Sequence, residues 1–145
     1  MSQNNFIKLF VNIENQDIKL DLKDSYKNKE YYFIKIKTLK DGYINIFQVY
    51  DSGETVLLLS NKKVDKSTNI IYPNPNEYDG LEAVVPKGQD KTKDLTIVAL
   101  CKDKKDFSLF DKVDTTINKK SLYFEQVLDK IDNCKLATKV INTMK

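Results

Sequence analysis

The sequence predicts a mainly β fold: an antiparallel β-sandwich-like domain of about eight short strands with a C-terminal amphipathic helical segment. Short apolar runs recur at intervals of about 8–12 residues between turn-forming clusters, which is typical of sandwiches and barrels. Several runs alternate apolar and polar side chains, so that one face of each strand is buried. Helical spacing of apolar residues appears only near the C-terminus.

The length of the chain, 145 residues, favours one domain spanning residues 1–145. A hydrophobic content of 41% is enough to build a core. We assign residues 6–102 to the sandwich-like core, 103–118 to a charged linker, and 119–143 to a C-terminal helix or helix pair.

Eight apolar runs of the core are predicted to be strands. In the third run, Ile34 and Ile36 alternate with Lys35 and Lys37. The eighth run is apolar on both faces, as expected of a central strand. The predicted strands cover residues 6–13, 18–22, 31–38, 43–50, 54–60, 70–72, 81–85 and 94–101.

Glycine-containing turns are expected to join consecutive strands. A polar stretch between the first two runs predicts a hairpin of 6–13 with 18–22. Asp41-Gly42 and Asp51-Ser52-Gly53 are hairpin signals because glycine accepts positive φ at little cost. They predict a three-strand meander of 31–38, 43–50 and 54–60, followed by a polar loop over 61–69.

The C-terminal part is predicted to be helical. Residues of one apolar stripe in 121–131 are spaced as on a helix, and a second stripe follows Asp132-Asn133. We expect these helices to pack on the sheet or on the end of the sandwich. The two stripes comprise Leu122, Val127, Leu128 and Ile131, then Leu136, Val140 and Ile141.

The composition excludes several functions. The chain has no histidine and no arginine, and all 24 basic residues are lysine. Catalytic schemes that need histidine are therefore excluded, and so is bidentate reading of guanine by arginine. Lysines alternate with carboxylates, as in Lys102-Asp103-Lys104-Lys105-Asp106, so we expect no nucleic-acid partner. No apolar run is long enough for a membrane span.

The two cysteines, Cys101 and Cys134, leave two alternatives open. They could form one disulfide in an oxidising compartment, or remain two buried free thiols. Two thiols alone cannot make a four-ligand zinc site, and the chain has no histidine to add a ligand. The start, Met1-Ser2-Gln3-Asn4-Asn5, lacks the apolar stretch of a signal peptide. The protein is therefore expected in the periplasm or cell envelope if an export signal was removed, and otherwise in the cytoplasm.

Motifs in a fixed order carry a family resemblance. They are Asp41-Gly42-Tyr43-Ile44-Asn45-Ile46-Phe47, Asp51-Ser52-Gly53, Leu57-Leu58-Leu59-Ser60-Asn61, Asn69-Ile70-Ile71-Tyr72-Pro73-Asn74, Leu81, Val85-Pro86 and Leu95-Thr96-Ile97-Val98-Ala99-Leu100. Over residues 6–102 this order resembles the bacterial family called domain of unknown function 4384, although Ser60 stands where members often have proline. The resemblance implies an accessory β-domain of envelope or multidomain signalling proteins, and it carries over no catalytic residue.

The best functional candidates are four residues of one loop. Pro73 and Pro75 stiffen it, and tyrosine beside asparagine suits contacts with proteins or sugars. We therefore predict ligand or partner contact at Tyr72, Asn74, Asn76 and Tyr78.

Two other patterns predict no chemistry. Ser60-Asn61-Lys62-Lys63 has the spacing of a serine acyl enzyme, but the serine ends a predicted strand instead of beginning a helix, so a turn is favoured. Acidic residues in the predicted loops do not have the spacing of a calcium-binding EF-hand. No catalytic residue, metal site or cofactor is expected.

These patterns together predict a non-enzymatic accessory or interaction domain of a bacterial envelope or exported protein, acting through contacts with an unidentified protein partner. Two alternatives remain open. One is a small-ligand or carbohydrate-binding β-sandwich module, and the other is a hydrolase of unrecognised type.

Overall fold

The structure is a computed structural model that describes residues 10–111 and 122–145, without the side chains of 111 and 122–125. It is mainly β, as predicted. The strands are β1 (Ile18–Asp21), β2 (Ser25–Lys27), β3 (Tyr31–Tyr32), β4 (Ile34–Thr38), β5 (Gly42–Val49), β6 (Glu54–Val64), β7 (Thr68–Tyr72), β8 (Leu81–Glu82), β9 (Lys91–Cys101), β10 (Leu122–Tyr123) and β11 (Lys135–Met144). The helices are α1 (Ser108–Asp111) and α2 (Phe124–Ile131).

Two sheets face each other across the main core. The larger has the strand order β10-β6-β5-β9-β11-β2, the smaller has the order β1-β4-β7, and β3 pairs separately with β8. Apolar side chains of both sheets meet in one buried cluster, so the predicted sandwich-like arrangement agrees with the structure. Its members include Ile18, Ile34, Ile36, Ile44, Ile46, Ile70, Val98, Leu100 and Ile141.

The outer face of the six-stranded sheet is buried as well. Phe47 and Ile97 pack there against Phe107 and against Val127 and Ile131 of α2. The two central strands of this sheet, β5 and β9, are therefore buried on both faces. The prediction that 94–101 forms a central strand is confirmed.

Residues 34–72 form one long β-hairpin folded across both sheets. β5 pairs with β6 in the larger sheet, and β4 pairs with β7 in the smaller. The pairing keeps one register through the fold: Ile34 lies opposite Tyr72, Thr38 opposite Thr68, and Gly42 opposite Val64.

The predicted meander is therefore wrong in its first strand. β4 belongs to the smaller sheet, and Asp41-Gly42 marks a corner between sheets instead of a hairpin turn. The Asp51-Ser52-Gly53 turn between β5 and β6 is confirmed, with Gly53 at φ 93°. Local sequence cannot separate these cases, because a corner and a turn both need a residue that tolerates unusual φ.

The corner is closed by hydrogen bonds between its two chain segments. The buried Thr38 hydroxyl donates to the Asp65 carbonyl at 2.8 Å, and the Ser67 N–H donates to the Thr38 carbonyl at 2.7 Å. Gly42 has φ 153°, and a Cβ there would lie 2.6 Å from the Cys101 carbonyl oxygen. The expected loop over 61–69 shrinks to three residues because β6 continues to Val64.

A bulge in the β5–β6 pair shifts the register beside Asn45. Asn45 is fully buried, and its Oδ1 accepts the Asn61 N–H at 2.7 Å. Asn61 has φ 52°, and its side chain exchanges two hydrogen bonds of 2.9 Å with the backbone of Lys105. The bulge thus fixes the position of the segment around Lys105, which leads to Phe107 on the outer face of the sheet.

The prediction of a C-terminal helix pair is correct for the first helix and wrong for the second. α2 lies within the first predicted helix, but the second predicted helix is strand β11, which pairs antiparallel with β9 and parallel with β2. Its apolar side chains pack on both faces of the sheet, so no simple alternation shows in the sequence. β-branched residues favour the strand: Thr138, Val140, Ile141 and Thr143.

The other element predictions need smaller corrections. The described part of the first predicted strand, residues 10–13, makes a single bridge from Ile13 to Thr138, and β1 pairs with β4, so the predicted hairpin is wrong there. Residues 6–9 and 112–121 lie outside the described part of the chain. The described end of the predicted linker contains α1.

Cys101 and Cys134 form a disulfide, with their Cα atoms 4.5 Å apart. It joins the end of β9 to the residue before β11 across a sequence separation of 33. A loop of this length corresponds to about 3–4 kcal/mol of stabilisation through the unfolded state. Of the two alternatives left open by the sequence, the structure has the disulfide.

The bulge at Asn61 yields a stability prediction. Asn61→Gly should lower the free energy of unfolding by about 1–2 kcal/mol, because both hydrogen bonds to Lys105 are lost. Asn61→Ala should lower it by about 1 kcal/mol more, since alanine is disfavoured at positive φ. Urea unfolding of both variants measures the difference. An alanine variant as stable as the glycine variant would contradict the positive φ at this position.

Candidate functional site

A cleft of about 560 Å³ lies where β5 ends and β9 begins, between the larger sheet and the β3–β8 pair. One wall is the interior face of the sheet, and the other includes Tyr32 of β3 and Leu81 of β8. The turn after β5 contributes Asp51 and Ser52 at the mouth.

Polar side chains replace apolar ones on the sheet wall. Along β5 the interior positions are Ile44, Ile46 and then Gln48, since alternate residues of a strand share a face. By the same alternation, Thr92, Asp94 and Thr96 occupy the interior face of β9 before Val98 and Leu100. The interior of the sandwich therefore becomes polar as it opens into the cleft.

Gln48 organises this polar wall. Its side chain is buried, with 5% relative exposure, and its Oε1 accepts the Thr96 hydroxyl at 2.9 Å. The amide group of Gln48 also interacts with the Asp94 carboxyl group and the Tyr32 hydroxyl group, and this interaction opposes the rise in pKa that burial causes in both.

Asp94 carries the most perturbed carboxyl group in the cleft. Burial is the main cause that raises its pKa from 3.8 to about 6, and the nearby Asp51 carboxylate raises it further. The hydrogen bond from Gln48 opposes the rise. Burial and the negative charge of Asp94 also raise the pKa of Tyr32 and, together with Glu54, that of Tyr50.

The wall opposite the sheet is aromatic and apolar. Tyr32 stacks on Tyr26 with ring centroids 4.4 Å apart. Leu81, Val84 and Pro86 line the same side, and Tyr50 is 40% exposed at the mouth. The cleft can therefore accept a ligand with a polar end and an apolar body.

The loop predicted to bind a ligand or partner lies outside this cleft. The Asn74 side chain accepts the Asn76 N–H at 3.0 Å, and the Asn74 carbonyl accepts the Tyr78 N–H at 2.9 Å. Tyr72 is half-buried against the core, with its pKa raised by burial and by Tyr78, which is 59% exposed. Asn74 thus closes a turn, and contact of these four residues with a ligand or partner stays a prediction.

The other patterns bring no chemical groups together in the described residues. Ser60 and Lys63 lie exposed within β6, so the turn expected there is wrong. The described residues contain no group of three or more side chains that could hold a metal ion. No helix among residues 10–111 and 122–145 is long and apolar enough to cross a membrane.

The sequence contains a pattern that indicates the cleft: polar residues at strand positions that the alternation assigns to the interior. Gln48 and Asp94 occupy interior positions of strands that are otherwise apolar on that face. A polar residue at a position that the strand pattern assigns to the core is an inconsistency that often marks a functional site. Loop composition drew attention to residues 72–78 instead.

The raised pKa of Asp94 predicts how stability depends on pH. The folded state binds this proton more tightly than the unfolded state, so stability should fall as pH rises from about 4 to about 6. Near neutral pH, Asp94→Asn should therefore raise the free energy of unfolding by about 1–2 kcal/mol, after allowance for solvent screening. The gain should vanish below about pH 4, where Asp94 is protonated in both states.

Urea unfolding at both ends of this pH range measures the effect. Asp103→Asn is the matched control, because Asp103 is exposed and lies outside the cleft, and it should change stability by less than about 0.5 kcal/mol. An Asp94→Asn variant that is less stable than the parent protein near neutral pH would contradict this account.

Comparisons with known protein families, with curated proteins and with solved structures find no match for this chain. The resemblance of residues 6–102 to domain of unknown function 4384 therefore stays a prediction.

Proposed function

We propose that this chain is a non-enzymatic binding module whose ligand occupies the cleft beside Asp94. The observation that carries the proposal is the half-buried Asp94 side chain in the lining of an open cleft, beside Gln48, with its pKa raised by burial. An ionised carboxylate with a raised pKa destabilises the folded state, and a perturbed carboxyl group in a cleft is a candidate for a functional site. This corresponds to the small-ligand alternative of the sequence interpretation.

The chemistry of the chain supports binding over catalysis. The sequence has no histidine to act as a general base, and both cysteines are held in the disulfide. The hydroxyl of Thr96 donates to Gln48 and is therefore engaged. The lining groups are suited to orient a ligand, and we propose no bond-breaking step.

A second candidate function is docking of a partner protein, as the sequence interpretation proposed. Exposed apolar side chains favour it: Tyr31 is 53% exposed, Tyr78 59% and Val84 50%. Val84 also lines the cleft, and Tyr31 lies on the paired strand β3. A partner that inserts one side chain into the cleft would use both features.

We also propose that the domain works in an oxidising compartment, such as the periplasm or cell envelope. The Cys101–Cys134 disulfide supports this, because such bonds persist mainly outside the reducing cytosol.

The binding proposal is tested by adding a panel of small probes to the isotope-labelled protein and following its amide NMR signals. The panel contains a neutral sugar (glucose), an anion (butyrate), a cation (butylamine) and an apolar ring (indole). At least one probe should shift the signals of Gln48, Asp94 and Thr96. Gln48→Leu should lower the affinity for that probe about tenfold, because the amide group that orients the ligand is lost.

Asn76→Ala is the control, since Asn76 lies in the 72–78 turn and does not line the cleft. Amide signals that shift only in that turn would contradict the proposal. The proposal would also be contradicted if no probe shifted the amide signals of the cleft residues.

The compartment proposal is tested by labelling thiols in protein taken from its native cell and denatured without reduction. We expect no labelled cysteine, because Cys101 and Cys134 are bonded to each other. Reduction before labelling serves as the positive control and should reveal two thiols. Two labelled cysteines without reduction would overturn the proposal.

A further inference from the structure

We propose that the cleft binds a protonated primary amine carried on an aliphatic chain, with the ammonium group beside Asp94 and Asp51 and the chain against Leu58 and Leu81. The inference rests on the proposed function, because it names the class of ligand for the same cleft. Three features support it: the negative charge of the lining, the absence of an ion pair to Asp94 within the described residues, and the apolar wall.

The charged side chains among the described residues that line the cleft are all negative. Carboxyl groups are contributed by Asp51, Glu82 and Asp94, and none of the described lining residues is basic. Lys91 and Lys93 flank Thr92 on β9, but alternation along the strand puts them on the opposite face, where they are exposed. The cleft therefore attracts a cation and repels an anion.

Among the residues that the structure describes, no lysine forms an ion pair with Asp94. The ion pairs within the described residues join Lys23 to Glu30, Lys135 to Asp17 and Lys139 to Asp24. The Gln48 amide beside the Asp94 carboxylate is neutral, and the nearby Asp51 carboxylate repels Asp94. An ammonium group brings three N–H donors and one positive charge, so it can satisfy both carboxylates at once.

The walls are suited to an amine with an aliphatic chain. Leu58, Leu81 and Val84 form an apolar surface that can cover the methylene groups, and Tyr50 at the mouth offers an aromatic ring to a cation. A neutral sugar is less well matched. It needs hydrogen-bond donors as well as acceptors, and the ionised carboxylates of Asp51, Glu82 and Asp94 can only accept.

The ammonium chemistry has two sources: a free alkyl amine and a lysine side chain of a partner protein. The test titrates butylamine, 1,4-diaminobutane and Nα-acetyl-lysine amide, each followed by the amide signals of Gln48 and Asp94. The neutral controls are 1-butanol, 1,4-butanediol and Nα,Nε-diacetyl-lysine amide. We expect each amine to bind at least tenfold more tightly than its neutral control.

The relative affinities of the amines identify the source. Tighter binding of the lysine amide supports a partner's side chain, and tighter binding of the diamine supports a free amine. Equal binding of an amine and its neutral control would overturn the inference. If glucose or indole shifts the cleft signals and the amines do not, the proposed function stands and the amine inference fails. If no probe shifts them, both fail.

Variants of the carboxylates sharpen the test. Asp94→Asn should lower the affinity for butylamine at least tenfold. Asp51→Asn should lower this affinity less, because Asp51 lies at the more open mouth of the cleft. Asp103→Asn should leave binding unchanged. Since Asp94→Asn is expected to fold more stably than the parent, unfolding cannot account for its loss of binding. Full affinity in the Asp94→Asn variant would overturn the proposal.

The pH dependence gives an independent readout. Asp94 faces Gln48 of β5, Tyr50 and Asp51 in the turn after β5, and Tyr32 of β3, with Glu82 of β8 in the same cleft. Because the pKa of Asp94 is about 6, butylamine affinity should fall by roughly tenfold between pH 7 and pH 5. The amine itself stays protonated over this range. An affinity that does not change with pH would contradict a role for Asp94.

Discussion

One antiparallel hairpin that runs through both sheets, with a single register across the corner between them, is the constraint on which the rest of the structure depends. Because the register passes the corner unchanged, Ile34 and Ile36 of β4 and Ile44 and Ile46 of β5 all face the interior of the fold. A slip of one residue would turn every one of these side chains outward. The corner can be this tight because Gly42 has no side chain to meet the Cys101 carbonyl.

The position of the cleft follows from the same hairpin. The series of interior residues along β5 ends at Gln48, shortly before the chain reverses at Asp51-Ser52-Gly53. The first part of β9, which contains Asp94, lies beside this end of β5. The end of the hairpin is therefore where the interior becomes polar and open. Apolar packing stabilises the two sheets, and the few polar groups at the end of the hairpin line the cleft.

Local features of the fold could be predicted from the sequence, whereas features that depend on distant pairing could not. The turn at Gly53 and the central strand β9 follow from turn chemistry and from apolar residues on both faces. The corner at Gly42 and strand β11 depend on partners far along the chain. In the cleft, Gln48 and Asp94 were detectable as polar residues at interior positions, but their proximity required the register between β5 and β9.

Native-state hydrogen exchange tests the single folded-over hairpin most directly. Ile36 lies in β4, at the centre of the smaller sheet, and Phe47 lies in β5, within the larger sheet. If one register couples both sheets, their amide protons should exchange with the same free energy of opening, equal to that of global unfolding. Exchange at Ile36 with a clearly lower free energy than at Phe47 would show that the smaller sheet opens by itself and would contradict the account.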